Sequence, residues 1–194
     1  MVAAESDSEL ERGDAAPDFE LPGLGGEPVP PEQWETYSLA DFADAGALLV
    51  VFTCNHCPYA RAKFDLLNDV AAEYDDCAVV GVNPNDAGEY PEDSAGKMAE
   101  YVADGRVAYD AYLRDESQEV ARAYGAVCTP DPFLFGNRDG TFELAYHGRL
   151  DDALNPDDEP EEIYVRDAVE AVLAGEEVPH EDRPSRGCSI KWLD

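Results

Sequence analysis

Basic residues are scarce in this chain: 13 Lys+Arg stand against 44 Asp+Glu, and only Lys63, Lys97 and Lys191 are lysines. The formal charge of −31 is spread along the sequence rather than gathered in one tail. Nucleic acid and anionic membrane surfaces need clusters of Lys and Arg, so neither is expected as a partner. No apolar run is long enough to cross a bilayer. Met1 to Gly13 carries Glu5, Asp7, Glu9 and Glu11 and lacks the apolar core of a signal peptide, so a cytoplasmic location is expected. Cys54, Cys57, Cys77, Cys128 and Cys188 are an odd set without regular spacing. That excludes a disulfide framework and points to sulfur that reacts.

What the chain does have is one organising stretch, Leu48 to Tyr59. Its apolar run Leu48-Leu49-Val50-Val51-Phe52 predicts a strand buried on both faces. The run ends at Cys54-Asn55-His56-Cys57, after which Ala60, Phe64, Leu67, Ala71 and Tyr74 mark one face of a helix. One step back along that face is Cys57, which is expected to turn inward. Cys54 is expected outside the first turn, where unpaired N–H groups favour a thiolate. An exposed attacking sulfur with a recessed partner suits thiol–disulfide exchange. His56 between them, with Arg61 and Lys63 following, would stabilise that thiolate. A Cys-x-x-Cys can also be half of a zinc site, but no second pair or His-x-His completes it.

The remaining organisation is that of one domain. Residues 1–13 are expected as an acidic disordered lead-in, 14–175 as the folded domain and 176–194 as a polar tail carrying Cys188. Ser38 is a candidate cap for a short helical turn. Cys77 to Val82 predicts a second buried strand, with Asn83 and Asp86 beyond its end as rim candidates. Helices are predicted over 94–103, 117–124 and 162–174, and a short strand over 109–113. Asn137-Arg138-Asp139-Gly140 signals a hairpin. The order of elements implies an α/β fold with a mixed central sheet and helices on both faces.

The Cys-x-x-Cys turn, followed far downstream by Val127-Cys128-Thr129-Pro130, resembles the thioredoxin-like fold. Ala16-Pro17-Asp18-Phe19-Glu20-Leu21-Pro22 resembles the redoxin branch of alkyl hydroperoxide reductases and thiol-specific antioxidant proteins. Phe52 to Tyr59, Gly81 to Asp86, Ala123 to Pro130 and Gly187 to Trp192 resemble its peroxiredoxin-like subfamily. The resemblance implies a cis-proline at Pro130 facing the cysteines, with Thr129 and Pro130 in the site. It also implies electrons from a thioredoxin or reductase, protein or small-molecule disulfides as substrates, and no bound organic cofactor. Peroxiredoxins carry Pro-x-x-x-Thr-x-x-Cys; counting back from Cys57 meets Cys54 and Val50 in those places, and from Cys54 it meets Val51 and Ala47. The buried Asp of thioredoxin falls at Leu48.

The leading expectation is a thiol–disulfide oxidoreductase in which Cys54 attacks and Cys57 resolves. Its rivals are a thiol peroxidase, with Cys188 as a possible resolving arm, and a Cu(I) or Zn carrier built on Cys54, Cys57 and His56 or Cys188. Cys77 and Cys128 are expected as small core hydrophobes, Cys128 lying near the site. The acidic, lysine-poor composition suits a cytoplasm rich in salt, where screening relieves self-repulsion. The melting temperature is therefore expected to rise steeply from low salt to molar KCl; a flat profile overturns the halophilic reading.

Overall fold

The computed structural model describes residues 3–193. Its central strand, β4 (Ala47–Phe52), is buried along its whole length, as the continuous apolar run requires. Successive side chains of a strand point to opposite faces. Leu48, Val50 and Phe52 therefore enter one apolar layer while Ala47, Leu49 and Val51 enter the other. β5 (Cys77–Asn83) runs parallel to β4 on one side, and β8 (Asp131–Arg138) runs antiparallel on the other. With β2 (Glu20–Leu24), β3 (Glu35–Ser38), β6 (Ala111–Arg114) and β9 (Thr141–His147), the sheet has the order β3-β2-β6-β5-β4-β8-β9. This is the mixed sheet of a thioredoxin-like α/β fold.

Helices α2 (Phe64–Glu73), α3 (Ala95–Ala103) and α5 (Tyr164–Leu173) cover the face of Leu49 and Val51 through Leu67, Met98 and Val169. On the opposite face, α4 (Glu119–Tyr124) sets Tyr124 edge-on to Phe52, Phe133 and Phe135, with ring centroids 5.3, 5.4 and 6.0 Å away. Such edge-to-face contacts add directionality to apolar burial. The helix expected from Tyr59 onward comes in two pieces, α1 (Pro58–Arg61) and α2, with a turn at Ala62 and Lys63 between them. The turn at Asp139 and Gly140 has φ of 52 and 90, the left-handed conformation that an Asp-Gly hairpin supplies.

Both chain ends depart from expectation. β1 (Ala3–Glu5), β10 (Arg186–Ser189) and β7 (Cys128–Thr129) form a second, small sheet in the order β1-β10-β7. Ser6 and Ser185 reinforce it, Ser6 N–H bonding the Ser185 carbonyl and Ser185 N–H the Ser6 hydroxyl, each at 2.9 Å. The lead-in is thus ordered where it is described, and the tail is part of the folded body; residues 1, 2 and 194 lie outside the described residues. The physical reason is the central position of β10: its two edges need backbone partners, which the two neighbouring segments provide.

Phe133 is fully enclosed, with its ring 5.4 Å from that of Tyr124 and 4.1 Å from that of His147. Phe133→Ala is expected to cost about 3–5 kcal/mol in chemical denaturation. A loss below about 1 kcal/mol would mean that this layer repacks freely.

Candidate active site

The site forms where the C-terminal end of β4, the small sheet and α1 meet. Thr129 and Pro130 are joined by a cis peptide bond, as the resemblance implied. In register, Cys188 of β10 lies opposite Thr129. Gly187 makes this approach possible, since a Cβ there would come 2.0 Å from the Thr129 carbonyl oxygen. The consequence is covalent: Cys188 forms a disulfide with Cys57 across 131 residues of sequence, with Cα atoms 6.2 Å apart. The Cys57 sulfur also sits 3.4 Å from the Thr129 carbonyl oxygen, and the Cys54 sulfur 3.2 Å from the Thr129 hydroxyl. Cys54, Cys57, Ala60 and Cys188 make one buried cluster.

Cys54 is not the exposed sulfur its position before the helix suggested; it is 0% accessible. The backbone explains why. Thr53 N–H bonds the Val82 carbonyl at 2.9 Å, so the chain continues along the sheet past β4. Asn55 is then gripped from three sides: its N–H donates to Asp93, its side chain donates to the Glu92 carbonyl, and Tyr112 donates to its side-chain oxygen. The tight turn Pro91–Asp93 closes over this segment. Burial, with the Asp93 charge adding to it, pushes the Cys54 thiol up to about 12. Cys57, expected on the buried helical face, is extended at φ −77 and ψ 123 just before α1.

Asp93 is the residue that sequence reasoning missed. It is buried and accepts hydrogen bonds from the Asn55 and His56 backbones and from the side chains of His56, Asn83 and Asn85. Burial opposes its ionisation, but the bonds from His56 and Asn85 outweigh that and hold the carboxyl below its usual range. His56 stacks on Tyr90 with centroids 4.6 Å apart, and Asp93, His56 and Cys54 bring heteroatoms within 4.8 Å of one another. Nothing local marks Asp93 among 44 acidic residues. Asn83, a rim candidate, belongs to this buried network, whereas the Asp86 N–H bonds the Lys191 carbonyl and fastens the tail.

Several expected contributors lie elsewhere. Lys63 is bonded to both carboxylate oxygens of Asp151 at 2.7 Å, so its charge is already matched. Arg61 is exposed. Cys77 and Cys128 are buried thiols; Cys77 is pushed up to about 12 by burial, and Cys128 is raised by burial and by Asp131. For the carrier alternative, Cys57 and Cys188 are bonded to each other, so that sulfur set is not assembled in this state.

The AhpC/TSA family model matches residues 12–149. Among solved structures, an uncharacterized conserved protein from Geobacillus kaustophilus is 36% identical, with TM-score 0.86 over 100% of this chain and 97% of its own. A hypothetical protein from Sinorhizobium meliloti 1021 is 39% identical, with TM-score 0.83 over 97% and 98%. A putative thiol:disulfide interchange protein DsbE from Chlorobium tepidum shares the fold at 21% identity, with TM-score 0.59 over 85% and 99%. No curated protein matches the sequence.

With one disulfide closed, Cys54, Cys77 and Cys128 remain as buried thiols. Iodoacetamide near neutral pH is expected to leave native protein unmodified and, on denaturation of the Cys57–Cys188 form, to label these three cysteines. Rapid labelling of Cys54 in native protein would contradict the enclosed site. Because the Cys54 and Cys77 thiols rise from 9.0 to about 12, they favour the native state below the ordinary thiol value. That contribution is lost as pH climbs through this window, so the urea midpoint should fall there.

Proposed function

The chain belongs to the AhpC/TSA family, and from that premise we propose that it is a thiol–disulfide oxidoreductase whose exchanging sulfur is Cys57. The observation that carries this reading is the Cys57–Cys188 disulfide, held beside Thr129. In the reductive half, local opening around the buried disulfide admits a thiolate of a thioredoxin-like or reductase donor, which attacks it. A mixed disulfide forms, and the donor's second thiol displaces it, leaving both cysteines reduced. In the oxidative half, Cys57 thiolate attacks a protein or small-molecule disulfide and expels one thiolate. Cys188, held opposite Thr129 by the strand register, then attacks Cys57, releases the second substrate thiol and re-forms the original bond.

These roles differ from those expected of the Cys-x-x-Cys alone. Cys57 is as enclosed as Cys54, but burial and the Asp93 charge raise the Cys54 thiol to about 12, which disfavours it as the sulfur that attacks a substrate from solution. Thr129 positions both cysteines through its hydroxyl and carbonyl, and Pro130 turns the chain without an N–H to satisfy. His56, fixed by Asp93 and Tyr90, anchors the segment between the two sulfurs.

A second reading, a thiol peroxidase, is favoured by one feature: Cys57 has a bonding partner far along the chain. In that chemistry a hydroperoxide oxidises Cys57 to a sulfenic acid, and Cys188 condenses with it, losing water. Against it stand Val50 and Cys54 in the places of the peroxide-pocket proline and threonine.

Turnover of a small disulfide with a dithiol donor is expected to be far faster than turnover of hydrogen peroxide. Cys57→Ser should lower disulfide turnover by on the order of 10³-fold or more, as loss of a nucleophile does, while Cys77→Ala leaves it intact. Retained turnover in the Cys57 variant overturns the assignment, and stopped-flow peroxide rates matching the disulfide rates favour the second reading.

A further inference from the structure

The Cys57–Cys188 disulfide and the Cys-x-x-Cys share one sulfur, and the third sulfur is packed into the same cluster. Cys57 and Cys188 are 0% and 1% accessible, so the bond is shielded from an external reductant in this state. The thiol of Cys54 is the neighbour inside that shield. It is hydrogen-bonded to Thr129, the same residue whose carbonyl meets the Cys57 sulfur and whose backbone lies opposite Cys188. No function is served by Cys54 in the exchange cycle derived above, although its side chain is held as closely as those of the two bonded cysteines.

We infer that Cys54 is an internal exchange partner that moves the disulfide from Cys57–Cys188 to Cys54–Cys57. This inference rests on the oxidoreductase reading of Cys57. The step is an isomerisation. Cys54 gives up its proton as its sulfur attacks Cys57; the Cys54–Cys57 bond forms, the Cys57–Cys188 bond breaks, and Cys188 leaves as thiolate. The proton given up by Cys54 ends on Cys188, so no oxidant, reductant or net proton is consumed. His56 and Asp93 provide nearby heteroatoms for its passage, within 4.8 Å of the Cys54 sulfur.

The exchange has a mechanical result. In the isomer, β10 keeps its backbone pairing to β7 and β1 but loses its covalent tie to Cys57. A short strand held by hydrogen bonds alone opens far more readily than one that is cross-linked. Opening it bares the edge of Thr129 and the Cys54–Cys57 bond together, which gives a dithiol donor readier access than the cross-linked Cys57–Cys188 form does. The buried Cys54 and the distant Cys188 thereby serve one cycle: Cys188 closes and protects the oxidised site, and Cys54 releases it.

Disulfide mapping by mass spectrometry after acid quench tests this directly. Fully oxidised wild-type protein is expected to contain both linked peptides, Cys57–Cys188 and Cys54–Cys57. Cys188→Ser should close Cys54–Cys57 stoichiometrically with one equivalent of oxidant. Cys54→Ser and Cys54→Ala, checked for folding by circular dichroism, should retain Cys57–Cys188 but be reduced by a dithiol about tenfold more slowly or worse, reflecting loss of an intramolecular attacker. The relay is overturned if the Cys188 variant leaves Cys54 and Cys57 as thiols, or if both Cys54 variants are reduced at the wild-type rate. Either result with Cys57→Ser inactive leaves the oxidoreductase reading standing; an active Cys57→Ser removes that reading itself.

Discussion

Cys188 reaches Cys57 because β10 is hydrogen-bonded into place along Cys128 and Thr129, and the arrangement of the site sulfurs follows from that pairing. At the end of β7, Thr129 presents its carbonyl to Cys57 and its hydroxyl to Cys54. Further along, Ile190 N–H bonds the Val127 carbonyl at 2.9 Å and Lys191 N–H bonds the Asn85 side chain at 2.8 Å. The Gln118 side chain reaches the Lys191 carbonyl at 2.8 Å. Each such bond contributes about 1 kcal/mol net. Position is therefore set by many modest bonds, which can yield one after another.

The other side of the site is built on the opposite principle. An unpaired buried carboxylate costs several kcal/mol, so Asp93 is stable only because Asn55, His56, Asn83 and Asn85 all donate to it. These donors come from the segments after β4 and at the end of β5, and Asp93 itself precedes α3. One charge thus locks three connections into a single geometry, and the segment carrying Cys54 inherits that rigidity. The site combines a fixed wall, which holds Cys54 and His56, with a hydrogen-bonded strand that carries Cys188.

Much of the fold was legible because its signals are local. The apolar run of β4, the turn residues at Asp139-Gly140 and the spacing of Phe64, Leu67 and Ala71 each report one element without reference to the rest. The Thr129-Pro130 pair was legible only through resemblance, since Thr-Pro before a strand is compatible with a trans bond as well. β1 and β10 escaped notice because strands of three or four residues show no periodicity; they exist by pairing with each other and with β7. Cys54 was misplaced for a related reason. A residue ahead of a helix is exposed by default, and it is distant segments, Thr129 and the strand of Cys188, that enclose it. Asp93 gives no local sign of its role, because what distinguishes it is the set of donors that folding brings around it.

The bond between Cys57 and Cys188 encloses most of the chain in a loop. A cross-link of that span removes a large share of the unfolded chain's freedom, worth about 5 kcal/mol in the chain-entropy account. That is comparable with the whole stability of many domains. The redox state of two atoms therefore also sets how often the molecule visits its unfolded ensemble. Oxidised and reduced forms should differ in how long they survive proteolysis, and a pool of this protein would carry, in its lifetime, a record of the reducing power around it.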